Sequence, residues 1–117
     1  MSVRRIVFYR TESDESPIVE FLDSLNAKDA RKVTWVLRLI EEQMIVPSSY
    51  FKKLKNTDDI WEARIQSSGN AYRILGFQHG ENFVVLTNGF SKKSQKTPRG
   101  EIKLAESRKA EWLRRNT

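Results

Sequence analysis

Cysteine is absent from this chain, and histidine occurs once, as His79. Without thiols there can be no disulfide framework, no thiolate metal site and no sulfur nucleophile. One imidazole cannot build a histidine metal cluster, and any Ser-His scheme would have to rest on His79 alone. Long apolar runs are missing too. None approaches the ~18 residues that span a bilayer, and the opening Met1-Ser2-Val3-Arg4-Arg5 leads straight into a strand-like segment with no apolar leader. A cytoplasmic, non-membrane protein is the expectation.

What is abundant is positive charge. Lys and Arg number 21 against 15 Asp and Glu, a formal net charge of +6 in 117 residues, with a pI of about 9.8 and a mean hydropathy of -0.60. That length supports one compact core, so a single domain over residues 1–117 is expected. A summed positive field attracts nucleic acid or an acidic partner, and the placement of the cations has to decide between specific binding and mere solubility.

β-forming residues between positions 3 and 9 suggest a first strand. Ser16-Pro17 is a helix cap followed by proline, opening a helix to about Leu25 with Ile18, Phe21, Leu22 and Leu25 on one stripe. Asn26 breaks it. A second helix over residues 29–44 carries Val33, Val36, Leu37, Ile40 and Met44 on one face. Strands follow at residues 60–66, 70–77 and 82–90, joined by Ser67-Ser68-Gly69 and Gln78-His79-Gly80-Glu81. Connections this short predict an antiparallel meander. Thr97-Pro98 repeats the cap-then-proline signal before a last helix to about Arg115. The order β-α-α-β-β-β-α is that of an α+β fold, a small antiparallel sheet with an N-terminal helical hairpin packed on it.

The most pointed feature is the acid-free stretch Gly89-Phe90-Ser91-Lys92-Lys93-Ser94-Gln95-Lys96-Thr97-Pro98-Arg99 between strand and helix. Cations crowded beside a helix N-terminus are mildly unfavourable, and a bound anion resolves the conflict. Strand parity places Glu62 and Arg64 on one face, with Trp61, Ala63 and Ile65 on the other toward the helices. Arg73 shares a face with Ala71, Leu75 and Phe77, which makes it a partly buried, fixed donor. A cross-strand ion pair of Arg64 or Arg73 with Glu62 or Glu81 is the plainer reading of the same residues.

Three stretches taken in order, Ile60-Trp61-Glu62-Ala63-Arg64, Tyr72-Arg73-Ile74-Leu75 and the basic loop running into Glu101-Ile102 and Leu104-Ala105, resemble the phage-derived branch of the RelE/HigB toxin superfamily of bacterial toxin-antitoxin pairs. The resemblance implies a RelE-like fold and an endoribonuclease that cleaves mRNA in the ribosomal decoding site and is silenced by a cognate antitoxin, here a helix-turn-helix protein. Members often carry a tyrosine or histidine near the C-terminus as an acid-base group. Residues 107–117 hold neither, and Gly76 stands where an aromatic residue is common in this branch.

Metal-free cleavage uses the ribose 2'-OH as nucleophile, so the protein must help move its proton and stabilise the added charge on phosphorus. A Lys and Arg cluster can hold the nucleotide in line, and a lysine crowded by cations can lose its proton near the working pH. Arg64, Arg73, Lys92 and Lys93 are the expected catalytic residues; Lys96, Arg99, Lys52, Lys53, Asn88 and Tyr72 are the expected RNA contacts. No cofactor and no metal are expected. Tyr72 shares its parity with Ile74 and is equally a core residue. A metal nuclease built on Asp58 or Asp59 with Glu62-x-Arg64 is a weaker alternative, because Arg replaces the customary Lys. A gyrase poison or a plain nucleic-acid-binding module is the alternative from another class.

Overall fold

A computed structural model of the chain describes residues 2–93 and 95–116; Ser94 of the basic loop lies outside the described residues. The elements are β1 (Arg5–Phe8), α1 (Pro17–Asp23), α2 (Ala27–Glu42), β2 (Phe51–Lys53), β3 (Trp61–Ser67), β4 (Asn70–His79), β5 (Phe83–Ser91) and α3 (Arg99–Arg115). They form an α+β domain around one five-stranded sheet of order β1-β5-β4-β3-β2. The meander β3-β4-β5 is antiparallel as expected. Two features were not legible in the sequence. The three-residue β2 adds an antiparallel edge strand beside β3, and β1 joins the other edge parallel to β5, so the sheet is mixed.

Local chemistry explains the helices. Ser16 caps α1 through its side chain, and Pro17 takes the first turn, where its missing N–H is not needed. α1 stops at Asp23 with Ser24 as its C-cap, short of the expected Leu25, and Asn26 caps α2 by accepting from the Asp29 N–H at 2.8 Å, so α2 begins two residues before the expected start. The apolar stripes of both helices cover one face of the sheet. There Ile18, Val33, Val36, Leu37 and Ile40 bury themselves against Ala63, Ile65, Tyr72, Ile74, Val84 and Leu86. Met44 lies beyond the end of α2 and is exposed.

α3 covers the opposite face, making three layers. Its Trp112 and Leu113 pack on Phe77 and Val85, and its Ala105 and Ile102 on Ile60 and Leu75. His79, expected in an open turn, ends β4 with its ring edge-on to Trp112, centroids 5.0 Å apart. No helix among the described residues is long and apolar enough to cross a membrane.

One buried carboxylate ties the helical layer to the sheet. Asp29, at the start of α2, accepts hydrogen bonds from the Tyr72 hydroxyl, from Ser67 at 2.7 Å and, more weakly, from Asn26 and Asn70. These donors, Tyr72 first, hold its pKa down at about 2 against the ordinary 3.8.

Two glycines allow close approaches near the site. A Cβ on Gly89 would stand 2.6 Å from the Phe21 ring of α1, and one on Gly76 would stand 2.2 Å from the Val85 carbonyl oxygen. Gly76 sits at a register shift between β4 and β5: Leu75 faces Asn88 while Gly76 faces Leu86, leaving Thr87 as an extra residue. No aromatic side chain fits where the neighbouring backbone comes that near.

Candidate functional site

The site grows from the β3-β4 pairing on the α3 side of the sheet. Arg64 stands directly opposite Arg73 in the antiparallel register, an arrangement of like charges that is unfavourable by itself. Glu62, two residues before Arg64 and therefore on the same face, resolves it. Its carboxylate is fully buried. It accepts from Arg64 Nε at 2.9 Å, faces Arg73 Nε at 3.6 Å, and takes a hydrogen bond from the Thr97 hydroxyl on its second oxygen. The ion pairing weighed from the sequence is thus real for Glu62, but one carboxylate serves two guanidiniums.

Arg73 is the better fixed of the two, at 13% side-chain exposure against 30% for Arg64. Its Nη1 donates to the Tyr72 carbonyl at 2.9 Å. Its buried Nε is held near Glu62 by charge alone, at a separation beyond hydrogen-bond reach.

Lys92 reaches this face because of the extra residue in β5. Alternation from Leu86, which packs toward α1 and α2, would carry Asn88, Phe90 and Lys92 to the helical-hairpin side. Thr87 reverses the parity, so Asn88 pairs with Leu75, and Phe90 with Arg73, on the α3 side. The Lys92 N–H donates to the Ala71 carbonyl at 2.7 Å, continuing the ladder one step. The Lys92 ammonium is pushed below its usual pKa, first by burial, then by the Arg73 charge and to a lesser extent by Arg64, with Glu62 opposing.

Ala71, Arg73, Lys92, Lys93 and Gln95 line an open depression of about 360 Å³. A second depression of about 280 Å³ shares Arg73 with the first and is bordered by Arg64, Tyr50, Ser49 and Lys32.

The remaining expected contacts divide. Lys96 and Arg99 border a separate cleft with Lys55 and Lys103, adjoining the site through Thr97. Lys52 is exposed opposite Glu62, and Lys53, on the alternate face, pairs with Asp59 at 2.7 Å. Tyr72 and Asn88 have their polar groups engaged within the fold. The Tyr72 ring is 5% exposed among the core residues under α2, with its hydroxyl given to Asp29. The Asn88 amide donates to the Glu101 carbonyl and side chain at 3.2 and 3.0 Å, and its Oδ1 lies 2.6 Å from the Thr87 hydroxyl, so it fastens α3 to β5.

Thr97 is not the helix cap its sequence position suggested. Pro98 occupies that position with no side-chain bond to the helix, and the Thr97 hydroxyl turns to Glu62. Glu101 supplies the negative charge in the first turn of α3.

The acidic residues of the metal-nuclease pattern are also spoken for. Asp58 lies 3.6 Å from Lys109 and Asp59 pairs with Lys53, while Glu62 faces the arginines. Among the described residues no three His, Asp or Glu side chains gather as a metal cage.

A small α+β domain carrying a cationic cluster around one buried carboxylate on one face of a mixed sheet is the class that the structure defines. The chain belongs to the family described as phage-derived protein Gp49-like (DUF891), whose model matches residues 20–110. It is also similar to a protein named "Probable endoribonuclease HigB1" in two strains of Mycobacterium tuberculosis, CDC 1551 / Oshkosh and ATCC 25618 / H37Rv. Identity to each is 41% over 56 residues, 48% of this chain and 44% of the relative. The matched stretch therefore spans under half the length of those relatives.

Proposed function

We propose that this protein is the toxin of a type II toxin-antitoxin pair, a cytoplasmic endoribonuclease that cleaves mRNA on the ribosome without a metal and is held inactive by a helix-turn-helix antitoxin. The observation carrying this reading is the gathering of Arg64, Arg73 and Lys92, from three different segments, on one face around a single carboxylate. Membership of the Gp49-like family and the printed name of the mycobacterial relative support it.

In this reading the scissile phosphate lies in the depression beside Arg73, Lys92 and Lys93. Arg73, anchored through Tyr72, and Arg64 stabilise the extra negative charge as the 2'-oxygen bonds to phosphorus. Lys92 in its amine form takes the 2'-OH proton and becomes the ammonium, the P–O5' bond breaks, and the departing 5'-oxygen takes a proton from water, leaving a 2',3'-cyclic phosphate. Lys96, Arg99 and Lys52 hold flanking phosphates. The ribosome supplies the remaining orientation, so a site without a histidine pair suffices.

Expression in bacteria with mapping of transcript 5' ends tests the reading. In-frame breaks within coding regions are expected, and they should vanish in a folded Arg64→Ala/Arg73→Ala double variant. Growth arrest with intact transcripts, or undiminished toxicity of the double variant, would remove the proposal.

A further inference from the structure

The cationic residues account for phosphate recognition, but they do not account for Glu62. A fully buried carboxylate in a site meant for a polyanion opposes binding, and its retention there calls for a reason. Three observations supply one. Glu62 touches both strand arginines: it accepts from Arg64 Nε at 2.9 Å and stands 3.6 Å from Arg73 Nε. Its second oxygen receives the Thr97 hydroxyl, which draws the far end of the basic loop onto β3 and leaves the first turn of α3 without that cap. And Arg73 Nε is buried without a hydrogen bond, so its place is set by the Glu62 charge and by the Nη1 bond to Tyr72.

We infer that Glu62 is a positioning residue, a clamp that with Thr97 sets the two guanidiniums and the basic loop in the geometry that the reaction requires. It does so at the expense of RNA affinity. The inference rests on the cleavage reading above and adds a role to a residue which that reading leaves unused.

The groups facing Glu62 are Arg64 on its own strand, Lys52 opposite on β2, Arg73 on β4, and Thr97 from the loop; the Lys92 charge also acts on this cluster. All are cationic or neutral. Removing the carboxylate charge therefore makes the face more positive and strengthens its attraction for phosphate. The same change releases the side chains from their fixed directions, and loss of alignment lowers the rate of the chemical step. Affinity and rate are expected to move in opposite senses. Neither a structural role alone nor a phosphate contact predicts that pattern.

The test uses Glu62→Gln, nearly isosteric and still an acceptor, in the full chain. Single-turnover cleavage of an mRNA held on purified ribosomes is compared with binding to the same complexes carrying 2'-O-methyl mRNA. The expected result is a saturating rate at least tenfold lower, affinity equal to or tighter than the parent, and a pH-rate profile that keeps its rising limb, moved to lower pH because the Glu62 charge no longer helps Lys92 hold its proton. Rate and affinity both at the parent level overturn the clamp, as does a parallel loss of both in a folded variant. A lost limb of the pH profile overturns it too, because the carboxylate would then be carrying the proton itself.

Thr97→Val, which removes only the hydroxyl, covers the case in which Glu62→Gln does not fold. A rate drop of roughly threefold to tenfold with binding intact supports the clamp, and an unchanged rate refutes it. Arg73→Ala run in parallel separates the two proposals. Full cleavage by that variant defeats the cleavage reading itself, whereas its inactivity beside an unaffected Glu62→Gln defeats only the clamp.

Discussion

Arg73 offers the sharpest test of the site, because its position combines near-complete burial with a single strong anchor. Truncation to alanine removes a guanidinium that is 13% exposed, the 2.9 Å bond to the Tyr72 carbonyl and the 3.6 Å contact with Glu62. A fixed cationic donor to charge that develops in a transition state is worth about 3 kcal/mol, a hundredfold to thousandfold in rate by order of magnitude. The fold has less at stake. Glu62 keeps its 2.9 Å partner Arg64, and the like-charge opposition of Arg64 and Arg73 disappears. A stability change within about 1 kcal/mol is expected, from lost packing of the side-chain stem.

A second consequence follows at Lys92, whose pKa is lowered in part by the Arg73 charge. Without that charge the ammonium holds its proton more tightly, so the rising limb of the pH-rate profile moves to higher pH in Arg73→Ala. Arg73→Lys keeps the charge and loses the planar fork, so it should retain the limb while recovering only part of the rate. Single-turnover cleavage on ribosomes across pH, with circular dichroism and a melting curve for each variant, measures all of this. A folded Arg73→Ala with the parent rate, or a pH limb that stays in place while the rate falls, would refute the assignment of roles.

Gly76→Ala should destabilise the protein by at least about 3 kcal/mol, since its Cβ would stand 2.2 Å from the Val85 carbonyl oxygen and backbone has to move; urea unfolding measures the loss. Asp29 makes the protein acid-sensitive. Its folded pKa of about 2 lies below the ordinary 3.8, so its stabilising contribution is complete above about pH 4 and disappears as the pH falls toward 2. Asp29→Asn should lower stability at neutral pH and flatten the dependence between those values, as read from melting temperatures across the acid range.

Much of the fold was legible because its signals are local. The cap at Ser16, stripes such as Val33-Val36-Leu37-Ile40 and short polar turns in the meander each act within a few residues, and the elements formed close to their expected limits, whereas Asn26, read as a helix breaker, caps α2. Strand parity likewise put Glu62 and Arg64 together and turned Trp61, Ala63 and Ile65 toward the helices. The short β2 was not legible. Three residues make no periodic pattern, and Phe51-Lys52-Lys53 becomes a strand through its pairing with β3. Thr97 was misjudged as a cap for a related reason: a buried carboxylate 35 positions away competes better for its hydroxyl than the local backbone does.

Composition and order along the chain decide which groups this protein can use: lysines and arginines in place of thiols and paired imidazoles, with Arg64 and Arg73 on strands and Lys92 in the segment that follows. Whether those cations would act together was a tertiary matter. It turned on the register that sets Arg64 opposite Arg73, on the one extra residue at Thr87 that swings Lys92 onto their face, and on the burial of Glu62 between them. Side-chain identity is written along the chain, but the distance between charges depends on strand pairing across many residues, and electrostatic energy depends on that distance and on how much water is left around it.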